Sequence, residues 1–133
     1  MRGIIIASHG KFAEGMYDAI KMFSGELENF SYISLLPDQD LKSFIEELKN
    51  KIDKVDSGDG VVVFCDLLYG TPSNIVSSLL KEEIYKGKLE IISGINLATV
   101  LEYTNTRNEI FDRNKLLEVG KSSIASVNDI IEK

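Results

Sequence analysis

The chain has 133 residues with 15 basic and 21 acidic side chains, a net charge of -6 and 44% hydrophobic content, an ordinary composition for one globular domain spanning residues 1–133. The acidic balance excludes a protein that tracks nucleic-acid phosphates, whose footprint is a basic face, and the apolar runs are far too short for a membrane span or a signal peptide. The single cysteine, Cys65, excludes an internal disulfide and, set in "VVVFCD", reads as a small buried hydrophobe in a protein of the reducing cytoplasm.

Short apolar runs alternate with amphipathic stretches of helical length, the signature of βαβ units around a parallel sheet. The first strand is read at Gly3 to Ser8, "GIIIAS". A helix follows in which Phe12, Met16, Ala19, Ile20 and Phe23 share one face, with Gly25 where a C-cap glycine stands. The second strand is Phe30 to Leu36. Asp38 or Asp40 then caps a helix with Leu41, Phe44, Ile45, Leu48, Ile52 and Val55 at spacings of three and four. "DSGDG" makes a turn into the third strand, Gly60 to Asp66. "TPSNIVSSLLKEEIY" is a helix with Thr71 at the N-cap and Pro72 at its first position. The fourth strand is Leu89 to Gly94, Asn96 caps "LATVLEYTN", and a closing helix runs from Asn114, weakened around Gly120 to Ser123. The fold class is therefore α/β: a doubly wound, mainly parallel open sheet, order 2-1-3-4 at its core, with helices on both faces.

Two strand ends carry chemistry. The first ends in Ser8-His9-Gly10, which holds the only histidine of the chain, and the third in "DLLYGTPSN", Asp66 to Asn74. In a sheet of this order the connections after strands one and three leave toward opposite faces and open the crevice where such folds bind ligands. His9 and Asp66 face each other there. A carboxylate on one ring nitrogen fixes the tautomer and aims the other nitrogen's lone pair, while the helix beginning at Thr71 points free N–H groups at the same spot, a setting for phosphate. An oriented imidazole, a carboxylate, the Thr71 hydroxyl and a helix N-terminus can accept and release a phosphoryl group. No spacing of a metal site occurs, and neither a P-loop nor a dinucleotide fingerprint is present, so no metal and no nucleotide cofactor are expected.

On "IIIASHG", "DLLYGTPSN" and "ISGINLATVLE", in this order and over essentially the whole length, the chain resembles the mannose-family EIIA component of the bacterial phosphoenolpyruvate-dependent sugar phosphotransferase system (PTS). The resemblance implies that His9 is phosphorylated at Nε2 by the phosphocarrier HPr and passes the group to an EIIB component. The membrane components EIIC and EIID are then met only indirectly. Asp66 orients His9 through Nδ1, and Thr71 with N–H groups near Gly70 holds the phosphoryl oxygens. It also implies a homodimer and, with the chain ending at Lys133, a free-standing EIIA. Two departures stand out: Tyr69 replaces a loop glycine, and Ala98 and Thr99 replace Pro and Met after strand four. Other readings of the same residues are the phosphotransfer subunit of dihydroxyacetone kinase, whose loop carries Asp-Leu-Gly-Ser, and a non-catalytic regulatory module in which His9 and Asp66 form a structural hydrogen bond. A response-regulator receiver lacks support, since Ser8-His9 is no acidic pair.

Overall fold

A computed structural model describes residues 1–132; Lys133, the end of the expected domain, lies outside the described residues. The strands β1 (Gly3–His9), β2 (Phe30–Leu35), β3 (Val61–Cys65) and β4 (Leu89–Ser93) form one parallel sheet in the order β2-β1-β3-β4. Among the described residues there are six α-helices, α1 (Phe12–Ser24), α2 (Leu41–Val55), α3 (Thr71–Leu79), α4 (Leu97–Thr106), α5 (Arg113–Ser122) and α6 (Val127–Ile131), the last of which buries no residue. This is the doubly wound sheet expected from the sequence.

Strands β1 and β3 are covered on both faces, which is why each reads as an unbroken apolar run. Successive side chains alternate between the faces. Ile5, Ala7, Val61, Val63 and Cys65 join a core with Phe44, Leu48 and Ile52 of α2 and Ile75, Val76 and Leu79 of α3. Ile4, Ile6, Val62 and Phe64 join the opposite core with Ala13 and Ile20 of α1, Val100 and Tyr103 of α4 and Leu116 of α5. Helix α1 therefore leaves β1 toward one face while α3 leaves β3 toward the other, and the carboxyl ends of these two neighbours form the switch point.

Several local expectations are corrected. The buried stripe of α1 runs through Ala13 and Ile20, not through Phe12 and Phe23, which are 48% and 69% exposed. The small Ala13 lets the helix approach the sheet closely, and the two phenylalanines lie off that line. Of the two candidate caps for α2, Asp40 acts, its carboxylate accepting from the Lys42 N–H at 3.3 Å, while Asp38 sits at φ +62°. The N-cap of α3 is Gly70, which makes Thr71 the first helical residue, and the helix stops at Leu79 before a short 3-10 turn at Glu83–Tyr85. Strand β3 ends at Cys65, leaving Asp66 in the loop, whereas β1 extends through His9. The closing helix is interrupted in the expected window: α5 ends at Ser122 with Ser123 as its C-cap, and α6 begins at Val127, although Gly120 itself is still helical. A Cβ on Gly120 would collide with the Thr99 hydroxyl of α4, so the glycine serves close helix packing rather than a break.

Candidate functional site

The register of the sheet builds the site. Ala7 of β1 pairs with Cys65 of β3, the last residue of that strand, so Ser8 and His9 run past its end and meet the loop that starts at Asp66. One oxygen of Asp66, Oδ2, accepts a hydrogen bond from the His9 backbone N–H at 3.0 Å and lies 2.8 Å from His9 Nδ1. With the carboxylate ionised, Nδ1 carries the proton and donates it, so Nε2 holds the free lone pair. The other oxygen, Oδ1, is buried without a hydrogen-bond partner, which leaves His9 as the group this carboxylate serves. The His9 side chain itself is 45% exposed.

Gly70 closes the site from the other side. A Cβ at that residue would lie 2.7 Å from His9 Cε1 and 3.4 Å from Nε2, so the imidazole rests against bare backbone at the N-cap of α3. The first internal hydrogen bond of this helix is Asn74 N–H to the Gly70 carbonyl at 2.9 Å. The N–H groups of Thr71 and Ser73 precede it and, with the helix dipole, favour an anion at the Nε2 side of the ring. Gly70 contributes no free donor, because its N–H is bound to the Leu67 carbonyl at 3.1 Å. Its part is to make room.

Sequence reasoning missed the groups that hold these loops. Buried Ser8 accepts from the Ala13 N–H at 2.7 Å and so fastens the start of α1 to the end of β1. Asn74 reaches back from α3 to donate to the Tyr69 carbonyl at 3.2 Å, clamping the loop that follows Asp66. Ser73 is buried and its hydroxyl is 2.7 Å from that of Ser93 at the end of β4. Polar residues at the ends of otherwise apolar strands were the available signal. Asn96 acts as the cap of α4, accepting from the Thr99 N–H at 3.0 Å and donating to the Gly120 carbonyl at 3.0 Å. Burial pushes the Cys65 thiol up to about 12, against a weaker lowering by a hydrogen bond to Ser93, so it stays a neutral core group. Among the described residues no group of three or more His, Cys, Asp or Glu is arranged to hold a metal ion.

Around His9 the carboxyl rim of the sheet is apolar and open. Leu36, Leu67, Leu68 and Tyr69 are 48%, 58%, 56% and 81% exposed. Tyr69 holds φ +66°, a left-handed conformation unusual for an aromatic residue, which turns the loop back toward α3.

Fold and site together define an open-sheet α/β protein with an accessible, carboxylate-oriented histidine at the switch point, facing a helix N-terminus. The family model EIIA-man, described as "PTS system fructose IIA component", matches residues 3–116. The chain belongs to this EIIA family of the sugar phosphotransferase system. It is 29% identical over 106 residues to the PTS system mannose-specific EIIAB component of Escherichia coli (strain K12), a match covering 80% of this chain and 32% of that protein. The chain thus spans about a third of the length of that relative. It is 26% identical over 107 residues to the PTS system sorbose-specific EIIA component of Lacticaseibacillus casei, covering 80% of this chain and 75% of the relative. The crystal structure of the PTS IIA protein associated with the fucose utilization operon from Streptococcus pneumoniae superposes with a TM-score of 0.87 at 28% identity, covering 98% and 96% of the two chains.

Proposed function

We propose that the chain is a phosphoryl carrier of the PTS in which His9 Nε2 takes a phosphoryl group from phospho-HPr and hands it to an EIIB component for sugar uptake. The bond between phosphorus and the donor's nitrogen breaks as the bond between phosphorus and Nε2 forms, and the donor nitrogen regains its electron pair. The proton on Nδ1 stays in place throughout. Asp66 holds that proton and the ring, so the lone pair meets phosphorus without prior reorientation. Thr71 and the first N–H groups of α3 face the phosphoryl oxygens and stabilise their charge. The chain is then a component of a phosphotransferase that works through a phosphohistidine.

The observation that carries this reading is the 2.8 Å contact between Asp66 Oδ2 and His9 Nδ1 on a ring whose Nε2 side abuts the N-cap of α3. The open apolar rim of Leu36, Leu67, Leu68 and Tyr69 supports protein partners rather than a small substrate. No helix among the described residues is long and apolar enough to cross a membrane, in keeping with a cytoplasmic component that reaches EIIC and EIID only through EIIB. A homodimer belongs to the same proposal, with exposed Ile124, Val127, Ile130 and Ile131 as apolar surface for a second copy.

Intact-mass analysis after incubation with phosphoenolpyruvate, enzyme I and HPr tests the reading. One acid-labile phosphoryl adduct is expected, dependent on HPr and absent from His9→Ala. An adduct on His9→Ala at the wild-type rate, or none under conditions that phosphorylate another EIIA, overturns it.

A further inference from the structure

Two guanidinium groups stand at the amino end of the sheet, opposite the end that carries His9. Arg107, at the end of α4, is only 6% exposed. Its Nε donates to the Arg2 carbonyl at 2.8 Å and its Nη2 to the Asn29 carbonyl at 2.6 Å, which fixes it against the starts of β1 and β2. Arg2 lies over the Phe111 ring, 5.3 Å from its centroid, and its Nη1 is buried with no hydrogen-bond partner. Neither cation forms an ion pair among the described residues. Asp59, nearby, is engaged by the Met1 ammonium group. Glu109 is exposed on the rim, and Glu28 acts on Arg107 only through space. A buried cation without a counter-ion is unfavourable, and carbonyl hydrogen bonds replace only part of its hydration. Burial accordingly holds the Arg107 guanidinium below its ordinary range. Two carboxylates, Asp59 and Glu109, stand at this end, but neither forms an ion pair with either guanidinium.

The space for an anion is there. A cavity of about 270 Å³ is lined by Met1, Arg2, Asp59, Tyr103, Arg107 and Phe111, among others. We propose that this cavity is a second, non-catalytic oxyanion site, in which Arg2 and Arg107 clamp the phosphate-type group of a small ligand. Two positive charges match a dianion better than a monoanionic carboxylate, and guanidinium forks suit phosphate oxygens. The Tyr103 hydroxyl adds a neutral donor, kept protonated because burial raises its ionisation. Both cations are held in place before any ligand arrives, by two carbonyls in one case and an aromatic face in the other, which lowers the ordering cost of binding. Six residues of β1, Gly3 to Ser8, separate Arg2 from His9, about 20 Å of strand, so the occupancy of the site does not depend on the phosphoryl-carrier reading.

Titration of the ¹⁵N-labelled chain with inorganic phosphate, at ionic strength fixed with sodium chloride, tests it, with acetate as a parallel arm. Saturable amide shifts are expected at Arg2, Asn29 and Arg107, separable from any at residues 66–74, where the proposed phosphoryl site lies. Arg2→Gln is expected to weaken binding at least tenfold while the chain keeps a folded spectrum and still takes a phosphoryl group from HPr. Absence of saturable shifts at Arg2 and Arg107, shifts confined to residues 66–74, or unchanged affinity in a folded Arg2→Gln overturns the site. Acetate binding as tightly as phosphate overturns the ligand class. Should Arg2→Gln not fold, the wild-type shifts decide the matter alone.

Discussion

A single oxygen, Asp66 Oδ2, holds His9 twice, by the backbone N–H at 3.0 Å and by ring Nδ1 at 2.8 Å. The strand end and the imidazole are thus set by one carboxylate, and its removal frees both at once. Asp66→Ala is expected to slow phosphoryl transfer by about 100-fold, the scale of loss when a reacting group is misplaced, while costing about 1 kcal/mol of stability for the lost hydrogen bonds. The His9 ring ¹⁵N shifts should pass from one dominant tautomer to a mixture. A wild-type transfer rate with an unchanged tautomer would show that Asp66 is not the orienting group.

Gly70→Ala separates fold from function. The backbone at Gly70 is extended, φ -74° and ψ 164°, so alanine is allowed there. Its Cβ would stand 2.7 Å from His9 Cε1, and the half-exposed ring is the partner that can swing aside. The expected result is a loss of at least tenfold in phosphoryl transfer with a melting temperature within a few degrees of wild type, read by stopped assays and by circular dichroism. An alanine variant with full activity would mean that the ring does not work in the position against Gly70.

The frame of the fold was legible because β1 and β3 are covered on both faces, and double burial writes continuous apolar runs into a sequence. The same logic made the His9 and Asp66 strand ends visible, since polar residues there interrupt the pattern. What remained hidden depends on distances that periodicity does not encode. Helical spacing puts Phe12, Met16, Ala19, Ile20 and Phe23 on one face, and of these Ile20 is buried and Met16 packs on the core while Phe12 and Phe23, at the two ends, stay exposed. Close approach to the sheet adds Ala13 to the buried face, a small residue that hydrophobicity alone does not single out. The bare backbone of Gly70 against the imidazole depends on β1 running two residues past its last pair with β3, a register no local motif reveals. The contact of buried Arg107 with the Arg2 carbonyl was equally hidden, since the two residues lie far apart in sequence and meet only once the sheet and α4 have packed.

Tyr69 offers a test on stability alone. Its φ of +66° places a bulky side chain in the left-handed region, at a cost of about 1–2 kcal/mol relative to a residue without Cβ, and its ring is 81% exposed, so little packing offsets that strain. Glycine removes the strain but loosens the unfolded chain by roughly 0.5–1 kcal/mol. Tyr69→Gly is therefore expected to gain about 0.5–1 kcal/mol, a rise of a few degrees in melting temperature. A fall would show that the ring makes stabilising contacts in solution.

Cys65 tests the core beneath the site. Burial raises its pKa from the ordinary 9.0 to about 12, the Asp66 charge adding to the effect against the Ser93 hydrogen bond. At pH 8 the folded chain then holds about one thiolate in ten thousand molecules, against about one in ten for the unfolded chain. A disulfide reagent should label Cys65 in denaturant within seconds and in the native protein only as fast as the chain opens. The sign of the linkage follows from the same shift. The folded state retains a proton that the unfolded state loses, so stability should fall as pH rises from 9 toward 12, and Cys65→Ala should flatten that part of the profile. Fast native labelling at pH 8 would place Cys65 at an accessible surface and contradict the packing of β3 against α3.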